Sequence, residues 1–340
     1  MNVAIFSSKP YEKEYLDNAN LGIGHHLHYF DATLNADTIN LARGFDAVCL
    51  FVTDTLDKKT TQQLAEMGIK LIDLRSAGFN NIDVEAAEEH HIKILRVPAY
   101  SPQAVAEHAV ALILTLNRKT HKAYNRVREG NFSVENLLGF NLSGKTVGVV
   151  GTGKIGSAFI QIMQGFGCKV IAYDLVESET LKAKGVEYRP FAEVLSDSDI
   201  ISLHCPLNAE TQHIINSISL SKMKKGAILI NTGRGGLIKT SHVIEALKAG
   251  HLGYLGIDVY EQEEKLFFKD LSGSIIQDDL IERLLGFHNV LITPHQGFFT
   301  SEALTQIAET TIKNFTDFEK GIASENEVKI ENKPINNFAK

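Results

Sequence analysis

The chain has 340 residues and a net charge of −7, with acidic and basic side chains interspersed along its length. This length predicts two domains of about 150 residues, each large enough to bury its own core. No basic stripe could neutralise phosphates, and the longest apolar run, residues 109–116, is far shorter than the roughly 20 residues of a membrane span, so we expect neither nucleic acid nor a membrane as partner.

The cysteines and the N-terminal residues bear on the cellular compartment. Cys49, Cys168 and Cys205 are an odd set, and each lies in or beside an apolar run typical of a reduced, buried thiol. Residues 1–6 form a strand-like run without the basic region and cleavage site of a signal peptide. We therefore expect a cytoplasmic protein without a disulfide framework.

The first hundred residues alternate between short apolar runs and polar, helix-prone stretches. The apolar runs are 3–6, 47–52, 70–74 and 92–97, and the helix-prone stretches include 58–67 and 84–90. This alternation predicts a parallel sheet flanked by helices.

The alternation stops at Tyr100-Ser101-Pro102, where a helix is predicted to begin. Ser101 is an N-cap residue, Pro102 suits the first helical position, and apolar residues then recur at helical spacing toward Arg128. We predict one long helix that ends near Gly130. Its apolar stripe indicates either a contact within the chain or a subunit interface, and we expect a homodimer or a homotetramer.

A second alternating series begins at residue 146. The strands predicted in it are 146–150, 169–173, 199–204, 227–231, 255–258 and 290–293, which are nearly continuously apolar, as a sheet covered on both faces requires. A last helix is predicted over 301–318, and if it packs on the first domain, that domain is discontinuous. The predicted fold class is α/β, with two Rossmann-like or flavodoxin-like domains that carry parallel sheets and have a cleft between them. One domain is 1–100 with 299–340, and the other is 101–298.

A glycine-rich loop follows the strand at 146–150. Gly151, Gly153 and Gly156 are spaced G-x-G-x-x-G between that strand and a helix-like segment. In such a loop the glycines permit a tight turn, a close approach of backbone to pyrophosphate, and close packing of helix on strand. The pyrophosphate then lies at the helix N-terminus. The 101–298 domain is therefore predicted to bind a dinucleotide.

An acidic residue bears on whether the dinucleotide is NAD or NADP. Asp174 ends the next predicted strand, 18 residues beyond Gly156. A carboxylate in this position can accept hydrogen bonds from both hydroxyls of the adenosine ribose and repels a 2′-phosphate. The sequence therefore favours NAD over NADP.

Three further residues follow later strands, where ligands bind in open α/β sheets. Arg234 stands in a glycine-rich turn after 227–231, and its guanidinium can grip carboxylate and carbonyl oxygens together. His295 follows 290–293 and is the best-placed proton donor. Glu263 lies in the acidic loop after Asp258, where a carboxylate can hold an imidazole and favour its protonated form. These are the groups that reduction of a 2-oxo acid needs besides a hydride donor.

Six segments, in this order, make the sequence resemble the D-2-hydroxyacid dehydrogenase family over nearly the whole chain, and its fermentative members most closely. They are Arg75-Ser76-Ala77-Gly78-Phe79-Asn80-Asn81-Ile82-Asp83, the loop 151–156, His204-Cys205-Pro206-Leu207, Asn231-Thr232-Gly233-Arg234-Gly235-Gly236, Gly256-Ile257-Asp258-Val259-Tyr260-Glu261 and Thr293-Pro294-His295-Gln296. The resemblance makes 1–100 with 299–340 the substrate domain and 101–298 the NAD-binding domain.

The resemblance implies an NAD-dependent enzyme that reversibly reduces pyruvate to D-lactate. Arg234 would bind and polarise the substrate, His295 would be the acid and base, and Glu263 would pair with His295. Backbone amides around Ala77 and Gly78 would bind the substrate carboxylate. The family pattern also implies cofactor contacts beyond the glycines and Asp174, at Lys154, Ile155, Cys205, Pro206, Thr211, Thr232, Gly233 and Asp258.

Several residues have competing interpretations. Glu261 and Glu264 are alternatives to Glu263 as the partner of His295, and at least two of the three glutamates are expected to form a solvated charge run. His204 ends a strand and could be taken for the catalytic acid, but we expect it to line the nucleotide cleft.

Aromatic and histidine clusters leave further alternatives. Phe51, Tyr100 and Phe298 are predicted to shape a small apolar substrate pocket, with ordinary core aromatics as the alternative. His26 and His28 would share one face of a strand beside His25, but no carboxylate or cysteine stands nearby, so we predict no metal site.

Two other functions remain as alternatives. One is a dehydrogenase for larger 2-oxo acids, of the D-2-hydroxyisocaproate type, and the volume of the aromatic pocket would decide it. The other is a dinucleotide-sensing binding protein similar to the corepressors that share this fold. The chain has no long unstructured regulatory tail of the kind that would favour a corepressor.

Overall fold

Two parallel sheets organise residues 1–329, the part of the chain that the computed structural model describes. One unit consists of Met1–Ser101 with residues 298–329, and the other is Pro102–Gly297. Within 1–329 every pair of named neighbouring strands is parallel. The predicted class of two α/β domains with parallel sheets is confirmed.

The first unit alternates strands and helices through its first hundred residues. Its strand order is β2-β1-β3-β4-β5, which is the flavodoxin-like order. The central strands β3 and β4 are buried along their whole length, as strands covered on both faces should be. The elements are β1 (Asn2–Ile5), α1 (Pro10–Ala19), β2 (His26–Tyr29), β3 (Ala47–Leu50), α2 (Lys58–Glu66), β4 (Leu71–Leu74), α3 (Val84–Glu89) and β5 (Lys93–Arg96).

The second unit contains the longer sheet. Its strand order is β12-β11-β10-β9-β6-β7-β8. The order reverses between β6 and β9, which is the switch point where ligands bind in this class of sheet. The elements are α4 (Pro102–Arg118), α5 (Thr120–Arg128), β6 (Thr146–Val150), α6 (Lys154–Gly165), β7 (Lys169–Tyr173), α7 (Glu179–Ala183), β8 (Glu187–Tyr188), α8 (Phe191–Asp197), β9 (Ile200–Leu203), α9 (Ser217–Lys222), β10 (Ala227–Asn231), α10 (Thr240–Lys248), β11 (Leu252–Ile257), α11 (Asp279–Leu285) and β12 (Val290–Ile292).

The prediction of one long helix from Pro102 to near Gly130 is wrong. Helix α4 ends at Arg118, and Lys119 adopts a left-handed conformation with φ of 50° before α5 begins. The apolar stripe of α4 packs on α6 and the sheet of its own unit, whereas α5 has no buried residue. In residues 1–329, neither α4 nor any other helix combines the length and apolarity needed to cross a bilayer.

A final helix, α12 (Ser301–Glu319), completes the first unit. Thr300 caps its N-terminus by accepting a hydrogen bond from the Ala303 amide. Ala308, Ile312 and Phe315 pack with apolar side chains of β1, β3, β4 and β5 in one core cluster. The first unit is therefore built from two separated parts of the chain.

Candidate active site

The glycine loop lies at the switch point of the second sheet. Gly151 has φ of +94°, and a Cβ there would lie 2.5 Å from the Cys205 amide nitrogen. A Cβ on Gly156 would lie 2.0 Å from the Gly151 carbonyl oxygen, whereas one on Gly153 would meet nothing within 4 Å. Two glycines therefore permit close packing, and the third leaves open space in front of α6, which begins at Lys154. This is the geometry of an anion-binding turn.

Asp174 lies beside this loop, directly after β7. Its Oδ2 accepts hydrogen bonds from the backbone amide of Thr152 at 2.5 Å and from the Thr152 hydroxyl at 2.9 Å. Tyr188 Oη donates to the same hydroxyl at 2.9 Å. The carboxylate is thus held at the edge of the glycine loop.

The side chains around the switch point fit a bound dinucleotide. Thr232 follows β10, and its buried Oγ1 has no hydrogen-bond partner in the described part of the chain. Burial raises the pKa of Cys205 to about 12, so its thiol stays neutral near pH 7. An unsatisfied hydroxyl and a neutral thiol, in the loops that follow β10 and β9, are groups that a bound dinucleotide can contact.

The remaining residues expected at the cofactor lie at the start of α6 and in the loops after β9 and β10. Ile155 lies in the first turn of α6. Thr211 Oγ1 donates to the Pro206 carbonyl oxygen at 2.7 Å, so this hydroxyl also shapes the loop after β9. The Gly233 amide donates to Asn231 Oδ1 at 3.0 Å. The contacts of Ile155, Thr211 and Gly233 with the cofactor remain predictions.

The structure brings His295 and Glu263 together. Nδ1 of the imidazole lies 2.9 Å from Glu263 Oε1. Glu263 Oε2 accepts a hydrogen bond from the backbone amide of Tyr260 at 2.8 Å. Both carboxylate oxygens are therefore engaged, which fixes the orientation of the carboxylate and of the imidazole on it.

Arg234 projects from a turn that the loop after β11 supports. Buried Asn231 donates from Nδ2 to the Arg234 carbonyl oxygen at 2.9 Å, and Arg234 Nη1 donates to the Gly233 carbonyl oxygen at 2.8 Å. A Cβ on Gly235 would lie 2.1 Å from the Tyr260 carbonyl carbon. Only glycine allows this approach, which places the arginine turn against the loop that carries Glu263.

The expectation that at least two of the three glutamates form a solvated charge run is wrong for Glu261. Its Oε1 lies 2.7 Å from His213 Nε2 and 3.1 Å from Lys239 Nζ, and its Oε2 accepts from the Thr240 amide at 3.0 Å. Burial alone would raise the pKa of Glu261, but these contacts outweigh burial and lower it. Glu261 anchors the acidic loop to α10, while Glu264 is exposed.

His204 does not have the properties of a proton donor near neutral pH. Burial lowers its pKa to about 3, so the imidazole is neutral. Its Nε2 lies 2.9 Å from Ser202 Oγ, and its ring lies 4.9 Å from the ring of Phe159. A Cβ on Gly156 would lie 3.5 Å from His204 Cβ, so this residue packs behind the glycine loop.

Three aromatic residues of the first unit that were predicted to bind substrate lie near one another. The rings of Phe51 and Tyr100 each lie 6.2 Å from the ring of Phe298. Ser76 Oγ donates to the Gly78 carbonyl oxygen at 2.8 Å, which bends the loop that contains Ala77. Phe51 and Phe298 are largely buried, so a core role and a pocket role are both compatible with their positions.

Sequence reasoning missed Phe268, whose ring lies 5.7 Å from that of His295. Phe268 has φ of +63°, an unusual conformation for a bulky side chain. It follows buried Phe267, which anchors the same loop in the core. No periodicity or spacing in the sequence distinguishes these two neighbouring phenylalanines.

The histidine cluster has structural contacts. His25 Nε2 lies 3.0 Å from Thr316 Oγ1, and His28 packs edge-on against Phe45 at 5.1 Å. Among residues 1–329 no three histidine, cysteine, aspartate or glutamate side chains form a possible metal site. His25 and His28 therefore have contacts within the first unit, whereas His26 is exposed.

A Rossmann-type sheet, a dinucleotide turn at its switch point and a carboxylate-held histidine beyond later strands define the class of an NAD-dependent dehydrogenase. Comparison with known proteins gives the family. Residues 110–297 match the family model described as the D-isomer specific 2-hydroxyacid dehydrogenase, NAD binding domain. The chain belongs to the D-2-hydroxyacid dehydrogenase family.

Full-length relatives agree with this assignment. A D-lactate dehydrogenase of Curvularia clavata is 52% identical over 330 residues, covering 96% of this chain and 94% of the relative. The apo-structure of D-lactate dehydrogenase from Escherichia coli superposes with a TM-score of 0.88 at 46% identity, covering 97% and 100% of the two chains. A structure described as the pyruvate reductase of Chlamydomonas reinhardtii superposes with a TM-score of 0.90 at 43% identity, covering 96% and 98%.

Proposed function

We propose that this chain catalyses the NAD-dependent interconversion of pyruvate and D-lactate. The observation that carries the proposal is the pair of His295 and Glu263, joined at 2.9 Å at the edge of the sheet where the glycine loop lies. The D-lactate dehydrogenases of about half identity support this substrate. They do not favour an enzyme for larger 2-oxo acids or a corepressor-like binding protein.

Residues of the second unit would have separate roles in the reaction. Bound NADH supplies the hydride that C2 of the 2-oxo acid receives. Because Glu263 holds Nδ1 of His295, the Nε2 atom is the one that would give a proton to the carbonyl oxygen. The Arg234 guanidinium would bind the substrate and stabilise the charge that develops on that oxygen. The carboxylate of Glu263 would orient the imidazole and favour its cationic form.

We assign NAD binding to residues 102–297 and binding of the substrate carboxylate to backbone amides of the loop that contains Ala77 and Gly78. Phe51, Tyr100 and Phe298 would form apolar walls suited to a methyl group. The cluster of their three rings supports this assignment. The cofactor role of Asp258 belongs to the same proposal.

Steady-state assays test the function directly. With NADH and millimolar pyruvate, we expect turnover and a product that chiral chromatography identifies as D-lactate. 2-Oxoisocaproate should give a lower kcat/KM than pyruvate. Absence of turnover above background with pyruvate would refute the enzyme proposal, and L-lactate as product would refute its stereochemistry.

Replacing Glu263 with glutamine should lower the pH at which pyruvate reduction declines. The uncharged amide can still contact the imidazole, but it no longer stabilises the imidazolium, so the proton needed for reduction is lost at lower pH. The measurement is kcat/KM for pyruvate between pH 5 and 9. Glu264→Gln, a change at the adjacent exposed acid, should leave the profile as in the wild type, and the same profile in both variants would contradict the pairing.

Replacing Asp174 with asparagine should improve the use of NADPH relative to NADH. Asparagine can accept the hydrogen bond from the Thr152 amide, but it lacks the charge that repels a 2′-phosphate. We expect the ratio of kcat/KM for NADPH to that for NADH to rise about tenfold or more, which corresponds to about 1.4 kcal/mol. Glu177→Gln, at an exposed acid three residues further on, is the control; an unchanged ratio in Asp174→Asn would contradict the role of Asp174.

We also propose that the protein is a cytoplasmic homo-oligomer, either a dimer or a tetramer. Helix α5 has no buried residue, and Phe132, Val134 and Leu138 beyond it are 76%, 80% and 87% exposed. Apolar side chains exposed together are typical of a surface that another subunit covers.

The three cysteines are free thiols, which supports a reducing compartment.

A further inference from the structure

The backbone that carries His295 is held in an uncommon conformation. His295 has φ of +55°, in the left-handed region that few non-glycine residues adopt. Its amide donates to the Thr293 carbonyl oxygen at 3.0 Å, and the next two amides, of Gln296 and Gly297, donate to the Asp258 carboxylate at 2.9 and 2.8 Å. Such strain persists only where the surroundings enforce it. The Asp258 carboxylate holds the two residues that follow His295.

The Asp258 carboxylate is itself fixed by two side chains. It is almost completely buried, and its Oδ1 accepts a hydrogen bond from Thr293 Oγ1 at 2.5 Å. His108, on α4, places Nε2 at 2.9 Å from that hydroxyl oxygen and at 3.2 Å from Asp258 Oδ1. Burial alone would raise the pKa of Asp258, but the hydrogen bonds from His108 and Thr293 outweigh it, so the group is a carboxylate near pH 7.

The direction of these hydrogen bonds follows from the available protons. The Thr293 hydroxyl has a single proton, which it donates to Asp258, so it can only accept from His108. The proton of the His108 ring therefore lies on Nε2. His108 Nε2 thus faces both the Thr293 hydroxyl oxygen and Asp258 Oδ1, and Thr293 donates to Asp258. The Asp258 carboxylate in turn accepts from the backbone amides on the C-terminal side of His295.

We propose that Thr293 and His108 are positioning residues for His295. They orient the Asp258 carboxylate, which holds the amides of Gln296 and Gly297 and thereby keeps the imidazole on Glu263. Gly297 is part of this arrangement, because a Cβ there would lie 3.0 Å from Asp258 Oδ2. The proposal rests on the function proposed for His295.

Thr293→Val and Thr293→Ser form the matched test, because valine keeps the shape without the hydroxyl and serine keeps the hydroxyl. In Thr293→Val we expect kcat for pyruvate to fall about tenfold or more, because small misplacements of a reacting group cost up to a hundredfold. NADH binding, measured by fluorescence, should change less than about twofold, and Thr293→Ser should restore most of kcat. Wild-type kcat in the valine variant, or an equal loss in both, would overturn the proposal.

His108→Met and His108→Gln give a second matched pair if Thr293→Val does not fold. Glutamine can donate from its amide nitrogen in place of Nε2, whereas methionine cannot donate. We expect a loss of kcat in the methionine variant that is at least threefold larger than in the glutamine variant. Equal kcat in the two variants would overturn the role of His108.

Amide hydrogen exchange separates this proposal from the proposed function. The amides of Gln296 and Gly297 should be protected in the wild type and in Thr293→Ser, and should exchange at least tenfold faster in Thr293→Val. If the wild type exchanged as predicted but did not reduce pyruvate, the proposed function would fail while the positioning role of Thr293 stood. If the exchange rates were the same in all three proteins, the positioning role of Thr293 would be refuted, whatever the activity.

Discussion

Replacing His295 with glutamine is expected to lower kcat for pyruvate reduction by about a thousandfold, within the range of 10² to 10⁴ that a positioned proton donor contributes. Glutamine approaches the imidazole in size and can contact Glu263, but it has no acidic proton to transfer at neutral pH. Stopped-flow measurement of NADH oxidation at saturating pyruvate gives the rate of the chemical step.

Two controls show whether the loss is chemical. NADH affinity should stay within about threefold of the wild type, because His295 is proposed to act on the substrate rather than to hold the cofactor. The same substitution at His26, an exposed residue on β2, should leave kcat unchanged. A loss of less than tenfold in His295→Gln would reject this residue as the proton donor.

Replacing Arg75 with methionine is expected to destabilise the first unit by about 3–5 kcal/mol, the cost of breaking a buried ion pair. The Arg75 guanidinium is buried and donates to Glu12 Oε1 at 3.0 Å, to the Cys49 carbonyl oxygen at 3.1 Å and to the Phe6 carbonyl oxygen at 3.0 Å. Methionine fills much of the volume but leaves the Glu12 carboxylate without its cationic partner. Urea unfolding followed by circular dichroism, with hydrogen exchange of β1, β3 and β4, reports on this unit.

A double-mutant cycle isolates the pair. Glu12→Gln alone leaves a buried cation and should also destabilise the unit, whereas the double variant should be less unstable than the sum of the two single variants. Lys58→Met, which removes the exposed ion pair with Glu89, should cause little measurable change. Additive effects of the Arg75 and Glu12 substitutions would show that the two side chains do not stabilise each other.

The sequence predicted the central elements well because burial on both faces leaves a continuous apolar run. Strands β6, β7 and β10 have the predicted bounds. The edge strand β8 was not predicted, because it has only two residues. Strand β2 was expected from the spacing of His26 and His28 but was not assigned to the predicted sheet, because it alternates histidine with apolar residues. The break at Lys119 was missed, since the apolar spacing continues across a residue whose left-handed φ has no signal in a single sequence.

The site residues that could be predicted from the sequence are those in loops that follow a strand. Arg234, Glu263 and His295 were chosen because loops at the carboxyl ends of parallel strands share one edge. The partners of Asp258 could not be predicted in this way. His108 lies 150 residues away in sequence, and only the folded chain brings α4 to the end of β11, where Asp258 lies. Glu261 was misread for the same reason, since its partners His213 and Lys239 belong to other loops.

The return of the chain in α12 has a consequence for synthesis on the ribosome. Phe315 and its neighbours complete the core of the first unit, yet they are translated after every strand of the second unit. During translation one apolar face of the first unit's sheet is therefore covered only in part, by α1, while the later unit can already fold. The second unit is therefore expected to finish folding before the first unit, although the strands of the first unit are synthesised first.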